Sequence, residues 1–150
     1  MIPFTGTVWR LVFADQSPTA PVRSPEGRFH HAGQAAIYTS LTAEGAAIAI
    51  RRYLHPDDPP RLLYPLEVDA ERVADMRGDP AVSVVWQDIR AAGKPAPTWT
   101  ISDRVRAQGA QGLLYSSRSR PDLAHLVLFA ELDKVIRRLG PARPWGHAEP

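Results

Sequence analysis

Apolar runs alternate along the chain with amphipathic segments, and proline or glycine separates most of them. Runs of β-branched, aliphatic and aromatic side chains predict β-strands, because such side chains pack well on a pleated surface. Five segments have this pattern: residues 7–13, 35–39, 61–68, 112–116 and 125–130. Pro65 has no backbone N–H, so it predicts a sheet edge or a bulge in the third strand.

Amphipathic segments with start and stop signals predict three helices. The first, residues 41–55, has an acidic side chain in its first turn and ends before Pro56. Asp79-Pro80 has the residue types of an N-cap and a first helical position, and predicts a helix that stops near Gly93. The third covers residues 98–108. Because the elements do not form regular strand–helix–strand units, they predict an α+β fold with a mainly antiparallel β core and flanking helices.

The length and apolar content of the chain predict one compact domain. The 150 residues, 44% of them hydrophobic, are enough for a substantial core. The core is expected over about residues 7–139, followed by a loose, proline-rich tail from Gly140. No secretory signal follows Met1, and no apolar stretch approaches the roughly 20 residues of a membrane span. A cytoplasmic protein without a membrane partner is therefore expected.

The charge of the chain comes mainly from arginine. Only two of the 18 basic residues, Lys94 and Lys134, are lysines, and the formal net charge is +2. Arginine binds phosphate and carboxylate with two parallel hydrogen bonds. The arginines are spread along the chain and do not form the basic stripe of a nucleic-acid site. They favour a small phosphate-bearing ligand over direct nucleic-acid contact, although an arginine- and alanine-rich composition is equally typical of a GC-rich genome.

Several kinds of chemistry have no support in the sequence. The chain lacks cysteine, which excludes disulfides and thiolate nucleophiles. It also lacks the G-x-x-x-x-G-K-[ST] phosphate loop and the G-x-S-x-G nucleophile motif. His30-His31 would point to opposite faces of an extended backbone, and Asp57-Asp58 lies in a proline-flanked turn. No metal site is expected.

Three short clusters remain. They are Trp9-Arg10 in the first strand, residues 25–38 (PEGRFHHAGQAAIY) and residues 112–118 (GLLYSSR). Their main features are the aromatic-Arg pair, the Gly27-Arg28-Phe29 turn, Tyr38 ten residues after Arg28, and Ser117 at the end of a late strand. In this order the features resemble the RES family, named for an arginine, a glutamate and a serine. Taken singly, each has an ordinary structural interpretation, as a turn, a half-buried aromatic side chain or a strand end.

The resemblance extends over residues 8–129 and is strongest to the ParT-like branch, judged by residues 27–41 and 116–120. It implies an ADP-ribosyltransferase-like α+β fold, NAD as cosubstrate, and a toxin with a cognate helical antitoxin. The leading hypothesis is a mono-ADP-ribosyltransferase that modifies a host metabolic enzyme, such as phosphoribosyl pyrophosphate synthetase. One alternative is an NAD glycohydrolase that depletes the cofactor. The other is a binding module for NAD or antitoxin without turnover.

The resemblance and the chemistry of the side chains together predict the site. Arg28 and Arg10 suit the pyrophosphate of NAD, Gly27 allows close backbone approach, and the Tyr38 ring offers a face for nicotinamide. The predicted catalytic residues are Arg28, Tyr38, Glu44 and Ser117. The predicted NAD-binding residues are Arg10, Gly27, Arg28, Phe29, Tyr38, Arg51 and Ser117.

The family glutamate has no counterpart in its usual register. That register, eleven residues past Tyr38, holds Ala49, and Glu44 is the only carboxylate on the predicted helix. Glu44 either takes the catalytic role from the helix start or stabilises the helix dipole there. Arg51 and His55, near the end of the helix, are further candidates to replace the glutamate.

Overall fold

Two long antiparallel strands, β1 (Ile2–Phe13) and β3 (Arg61–Asp75), form the most extensive pairing of the computed structural model, which describes residues 1–146. Alternate β1 side chains are buried from Val8 onward, as the two-residue period of a strand requires. Val8, Arg10 and Val12 therefore share the inner face. An arginine at one of these apolar positions is the first sign of a functional site.

The remaining core strands connect β1 and β3 into a closed circuit. β1 meets β2 (Ile37–Ser40), which pairs with β5 (Ala124–Leu128); β5 then pairs with β4 (Gly112–Ser116), which lies beside β3. Within the described residues only the β3–β4 pairing is parallel. The prediction of an α+β fold with a mainly antiparallel core is confirmed.

β3 is longer than predicted and is paired on both sides. It continues to Asp75, and its second edge carries β6 (Ile136–Arg138) and β7 (Arg143–Trp145). The carbonyl of Pro65 accepts from the N–H of Leu139 at 3.3 Å, so the nitrogen of Pro65 faces the same edge. At this edge Pro65 lies between the residues that pair with β6 and those that pair with β7, so no backbone N–H is required from it. The strand is central, and the edge predicted from Pro65 is only a local gap.

The prediction of a loose tail from Gly140 is wrong for β7. Trp145 is 9% exposed and packs against Ala46, Ala47 and Leu63. Burying an aromatic side chain offsets the entropy lost when a short strand becomes ordered. The last part of the predicted tail, residues 147–150, lies outside the described residues.

The helices agree with the prediction in two cases out of three. α1 (Ala43–Ile50) is capped by the Thr42 hydroxyl, which accepts from the N–H of Gly45, and residues 51–53 continue as a 3-10 turn. The helix predicted from Pro80 to Gly93 is interrupted. It consists of a 3-10 turn (Pro80–Val82) and α2 (Trp86–Ala91), because the carbonyls around residue 83 accept side-chain hydrogen bonds. The third predicted helix is α3 (Pro97–Ala107), and a single-turn helix, α4 (Leu132–Val135), precedes β6.

The core consists of three apolar clusters, one of which is the group around Trp145. A second is formed mainly by the strands and includes Val8, Leu66 and Leu126. The third lies between the sheet and α3, and includes Phe29 and Val105. No helix of the described residues is long and apolar enough to cross a bilayer.

Candidate active site

A cleft with a volume of about 700 Å³ is lined by β1, α1, the residues before β2, and the ends of β4 and β5. This volume is within the usual range of small-molecule sites, roughly 300–1,000 Å³. Six of the residues predicted from the sequence line it: Arg10, Gly27, Arg28, Tyr38, Arg51 and Ser117. The fold thus brings together side chains that are far apart in the chain.

Arg10 reaches the cleft from its inward position on β1. Its Nη1 donates to the carbonyls of Pro18 at 2.7 Å and Ala20 at 2.6 Å. Its Nε and Nη2 have no hydrogen-bond partner among the described residues, and neither atom is sealed from solvent. Burial lowers the pKa of Arg10 to about 10, so the side chain remains charged at neutral pH.

Arg28 projects from residues 26–31, here called the arginine loop. Its Nη1 donates to the carbonyls of Val82 at 3.1 Å and Val84 at 2.6 Å. As with Arg10, the other guanidinium nitrogens have no hydrogen-bond partner within residues 1–146. Burial lowers the pKa of Arg28, and no carboxylate is among the groups that perturb it. Buried Arg10 and half-buried Arg28 therefore offer unfilled donors to an anion in the cleft.

The hydroxyl of Tyr38 connects β2 to the arginine loop. It accepts from the N–H of Phe29 at 2.8 Å and lies 2.8 Å from His30 Nδ1. His30 Nε2 donates to the carbonyl of Ser24, so Nδ1 accepts the Tyr38 hydroxyl proton. Burial lowers the pKa of His30 and raises the pKa of Tyr38, which keeps both neutral. A Cβ at Gly27 would lie 2.5 Å from His30 Cε1, so this contact requires glycine.

Ser117 begins a tight loop after β4. Its N–H donates to the carbonyl of Leu123 at 2.9 Å, and its Oγ accepts from the N–H of Arg120 at 3.3 Å. The Ser117 hydroxyl can still donate its own proton to a ligand. Arg118, the next residue, is exposed at the rim of the cleft. Arg120 anchors the loop to α1 through Glu44, with 2.8 Å between Nη1 and Oε1.

Glu44 and Phe29 lie outside the cleft lining, although both were predicted as site residues. Glu44 is exposed at the start of α1, and Phe29 is fully buried in the cluster beneath α3. The catalytic role of Glu44 and the contact of Phe29 with NAD stay predictions. Ala49 and Arg51 line the cleft, whereas His55 does not.

Tyr115 and His125 also line the cleft, although neither was predicted as a site residue. His125 Nδ1 lies 2.7 Å from the hydroxyl of Ser40, and burial lowers the pKa of His125 to about 4. The hydroxyl of Tyr115 has no hydrogen-bond partner among the described residues, and burial raises its pKa to about 12. Tyr115 lies within the GLLYSSR cluster, which was the available signal for it. His125 has no such signal, because Ser40 lies 85 positions away in the chain.

Glu26 is the only carboxylate in the lining of the cleft, as far as residues 1–146 show. It forms two hydrogen bonds with Arg90, of 3.0 Å and 3.2 Å, so its charge is already paired. No group of three His, Asp or Glu side chains in this part of the chain could hold a metal ion. With Arg10 and Arg28 inside and other arginines at the rim, the cleft is suited to a phosphorylated ligand.

The fold and the site together thus define the class of protein, an α+β domain with an arginine-lined cleft. The family model described as RES domain matches residues 7–145, so the chain belongs to the RES-domain family. A solved structure entitled a crystal structure of the M. tuberculosis MbcT–MbcA toxin–antitoxin complex contains a chain with a similar fold. The TM-score is 0.73 at 16% identity, covering 98% of this chain and 87% of that one. A comparison with curated protein sequences gives no match.

Proposed function

We propose that this chain is the toxin of a toxin–antitoxin pair and that it consumes NAD by transferring its ADP-ribose to a host protein. Membership of the RES-domain family supports an NAD-related activity. The shared fold with a chain from a toxin–antitoxin complex supports an antitoxin partner. The toxin acts in the cytoplasm, where NAD and the acceptor protein are available. A metabolic enzyme such as phosphoribosyl pyrophosphate synthetase is the proposed acceptor.

The pair formed by buried Arg10 and half-buried Arg28 is the observation that carries this proposal. Arg10 and Arg28 each use one guanidinium nitrogen to hold backbone carbonyls, and keep the others unpaired among the described residues. Withdrawing a cation from water, as the fold does fully for Arg10 and partly for Arg28, costs free energy when no carboxylate pairs with it, so the arrangement favours a ligand that brings its own negative charge. The pyrophosphate of NAD carries two such charges and matches the guanidinium fork.

The remaining lining residues suit the other half of NAD. The Tyr38 ring offers a flat face to nicotinamide, and the Ser117 hydroxyl can hydrogen-bond its carboxamide or the ribose. In the reaction the nicotinamide–ribose bond breaks, nicotinamide leaves with the bonding electrons, and an acceptor nucleophile bonds to the same ribose carbon. A carboxylate near the ribose would stabilise the positive charge that develops. The chain offers two candidates, Glu44 from the sequence prediction and Glu26 from the cleft.

Purified protein incubated with labelled NAD and a cell extract tests the proposal. Label on protein supports transfer, free ADP-ribose supports the glycohydrolase alternative, and intact NAD supports a binding module without turnover. Arg28→Ala should abolish NAD consumption, whereas Arg104→Ala removes an exposed arginine from α3 and should not. Equal NAD consumption by Arg28→Ala and the unmodified chain would overturn the assignment of the site.

A further inference from the structure

The backbone of the arginine loop is held from α3, more than 60 residues further along the chain. The carbonyls of residues 27, 28 and 29 each accept a hydrogen bond from an α3 side chain. Trp99 Nε1 donates to the first over 2.7 Å, the Thr98 hydroxyl donates to the second, and Arg106 Nη2 donates to the third over 3.0 Å. Three consecutive peptide groups are therefore fixed by one helix.

We propose that Thr98, Trp99 and Arg106 are positioning residues, which hold the arginine loop in the conformation that presents Arg28 to the phosphates of the substrate. None of the three lines the cleft, so they act through the loop. The identity of the ligand rests on the proposed function. The positioning itself rests on the hydrogen bonds and is tested separately below.

The loop needs such external contacts because it has no regular structure of its own. Residues 14–36 contain neither helix nor strand, so their carbonyls lack ladder partners over most of the segment. Thr98 is fully buried and Trp99 is 9% exposed, which places both donors away from competing water. A hydrogen bond in such surroundings is costly to lose, since the carbonyl left behind stays desolvated.

The Trp99 ring also connects to both ends of the arginine loop, directly at one end and through Arg90 at the other. It stacks on His31 with 4.5 Å between ring centroids and an interplanar angle of 13°. The guanidinium of Arg90 lies 5.0 Å from the Trp99 centroid and forms the hydrogen-bonded pair with Glu26. The side chain that bonds the Gly27 carbonyl thus contacts His31 directly and is connected to Glu26 through Arg90.

Arg106 shows that holding the arginine loop has a cost in free energy. Its guanidinium lies over the Phe129 ring at 4.1 Å, and its Nε is buried without a partner among the described residues. Its Nη2 donates to the carbonyl of Phe29 and, at 3.3 Å, to that of Ala35. A half-buried arginine with one buried, unpaired nitrogen is a poor choice for packing alone, and the loop carbonyls explain its presence.

Matched variants separate the donors from the bulk of the side chains. Thr98→Val and Trp99→Phe keep most of the volume and remove the donor, whereas Thr98→Ser keeps the hydroxyl. Arg106→Gln is paired with Arg104→Gln, which changes an exposed arginine of the same helix. Calorimetry with ADP-ribose as the probe should show an affinity loss of about 3- to 10-fold for each donor variant, the scale of one hydrogen bond. Thr98→Ser and Arg104→Gln should stay within about 2-fold, since each leaves the three bonds to the loop in place.

Hydrogen exchange tests the positioning without any ligand. Amides of residues 27–31 should exchange faster in Thr98→Val and Trp99→Phe, while those of β4 serve as the internal reference. Unchanged loop exchange in both variants overturns the inference. Unchanged ADP-ribose affinity in these variants, when Arg28→Ala loses binding, overturns it as well. Tight ADP-ribose binding by Arg28→Ala instead overturns the proposed function, while faster loop exchange would still support the positioning role.

Discussion

The Tyr38 hydroxyl holds the arginine loop, which changes what its removal should do. Stacking on nicotinamide would require only the ring, and from that role alone Tyr38→Phe would be mild. The hydroxyl, however, accepts from the N–H of Phe29 and donates to His30 Nδ1. Tyr38→Phe leaves both groups unpaired, so it should lower the free energy of unfolding by about 1–3 kcal/mol. Urea denaturation measures this loss.

Tyr53→Phe is the matched control for that measurement. The Tyr53 hydroxyl accepts from Gln87 Nε2 at 2.7 Å, but the residue is 53% exposed, so water can replace the lost partner. Its cost should stay within about 0.5 kcal/mol. Equal losses for the two variants would show that the buried network around Tyr38 contributes nothing particular to stability.

Burial of His125 predicts an acid-sensitive fold. Burial and, secondarily, the charge of Arg28 lower the pKa of His125 to about 4, against an ordinary value of about 6.5. The unfolded chain therefore binds more protons between these two values. The contribution of neutral His125 to the free energy of unfolding is present above about pH 6.5 and is lost as the pH falls toward 4. For this group alone, the loss between pH 7 and pH 5 is about 2 kcal/mol.

The change His125→Gln isolates this contribution. Gln does not titrate, so the variant should lose less stability than the unmodified chain between pH 7 and pH 5 in urea denaturation. His30, whose pKa is also lowered by burial, remains in both proteins and acts in the same direction. The same pH dependence in both proteins would mean that His125 is protonated as easily in the folded chain as in the unfolded one.

Single residues differ in how far the sequence could identify them. Arg28, Tyr38 and Ser117 lie in short motifs whose spacing is readable, and all three line the cleft. His125 acquires its surroundings only through the pairing of β2 with β5. Glu26 lies in the cluster of residues 25–38, but its position in the cleft depends on the fold of the arginine loop. Tertiary contacts of this kind leave no local pattern.

At the scale of one element, the contacts at the start of α1 bear on the two roles predicted for Glu44, catalysis and stabilisation of the helix dipole. Thr42 already caps the helix, and the Glu44 carboxylate pairs with Arg120 at the surface. Exposed ion pairs contribute at most about 1 kcal/mol. Because Glu44 is exposed and lies outside the cleft lining, Glu44→Gln should leave the turnover number within about 2-fold, the scale of a surface substitution. If Glu26 is the carboxylate that faces the ribose, despite its pairing with Arg90, Glu26→Gln should lower turnover more than ADP-ribose affinity, because a charge near the ribose matters most in the transition state.

Steady-state kinetics with NAD and calorimetry with ADP-ribose measure both variants. If Glu44→Gln instead lowers turnover by orders of magnitude at unchanged affinity, Glu44 has the catalytic role predicted from the sequence. Thr42→Ala serves as the control for the helix itself, with an expected stability cost of about 1 kcal/mol and little change in turnover.

Two elements show why boundaries were harder to predict than element types. The second half of β3 alternates buried Ala70 with exposed charged residues, and it is a strand because β1 and β4 pair with it. The break before α2 arises because Arg28 binds the carbonyls of Val82 and Val84. In both cases a partner distant in sequence decides the backbone conformation, and local propensity does not report it.

At the scale of the whole molecule, β7 pairs with β3 and places Trp145 against α1. Trp145→Ala should lower the free energy of unfolding by about 3 kcal/mol, since it empties a buried aromatic site between β3 and α1. Leu139→Ala, at a residue that is 48% exposed, should cost less than about 0.5 kcal/mol. Thermal denaturation compares the two. A negligible effect of Trp145→Ala would show that the segment after Gly140 is not needed for stability.

The closed strand circuit also has a consequence for synthesis on the ribosome. Among the paired strands of residues 1–146, only β4 and β5 are near neighbours in the chain. The β2–β5 contact joins residues 85 positions apart, and β1 meets β3 across most of the first half of the chain. This is a topology of high contact order, which folds slowly because long loops must close first. A nascent chain that lacks β5 has neither His125 nor the partner strand of Tyr38. The cleft therefore forms only after nearly the whole domain has been translated.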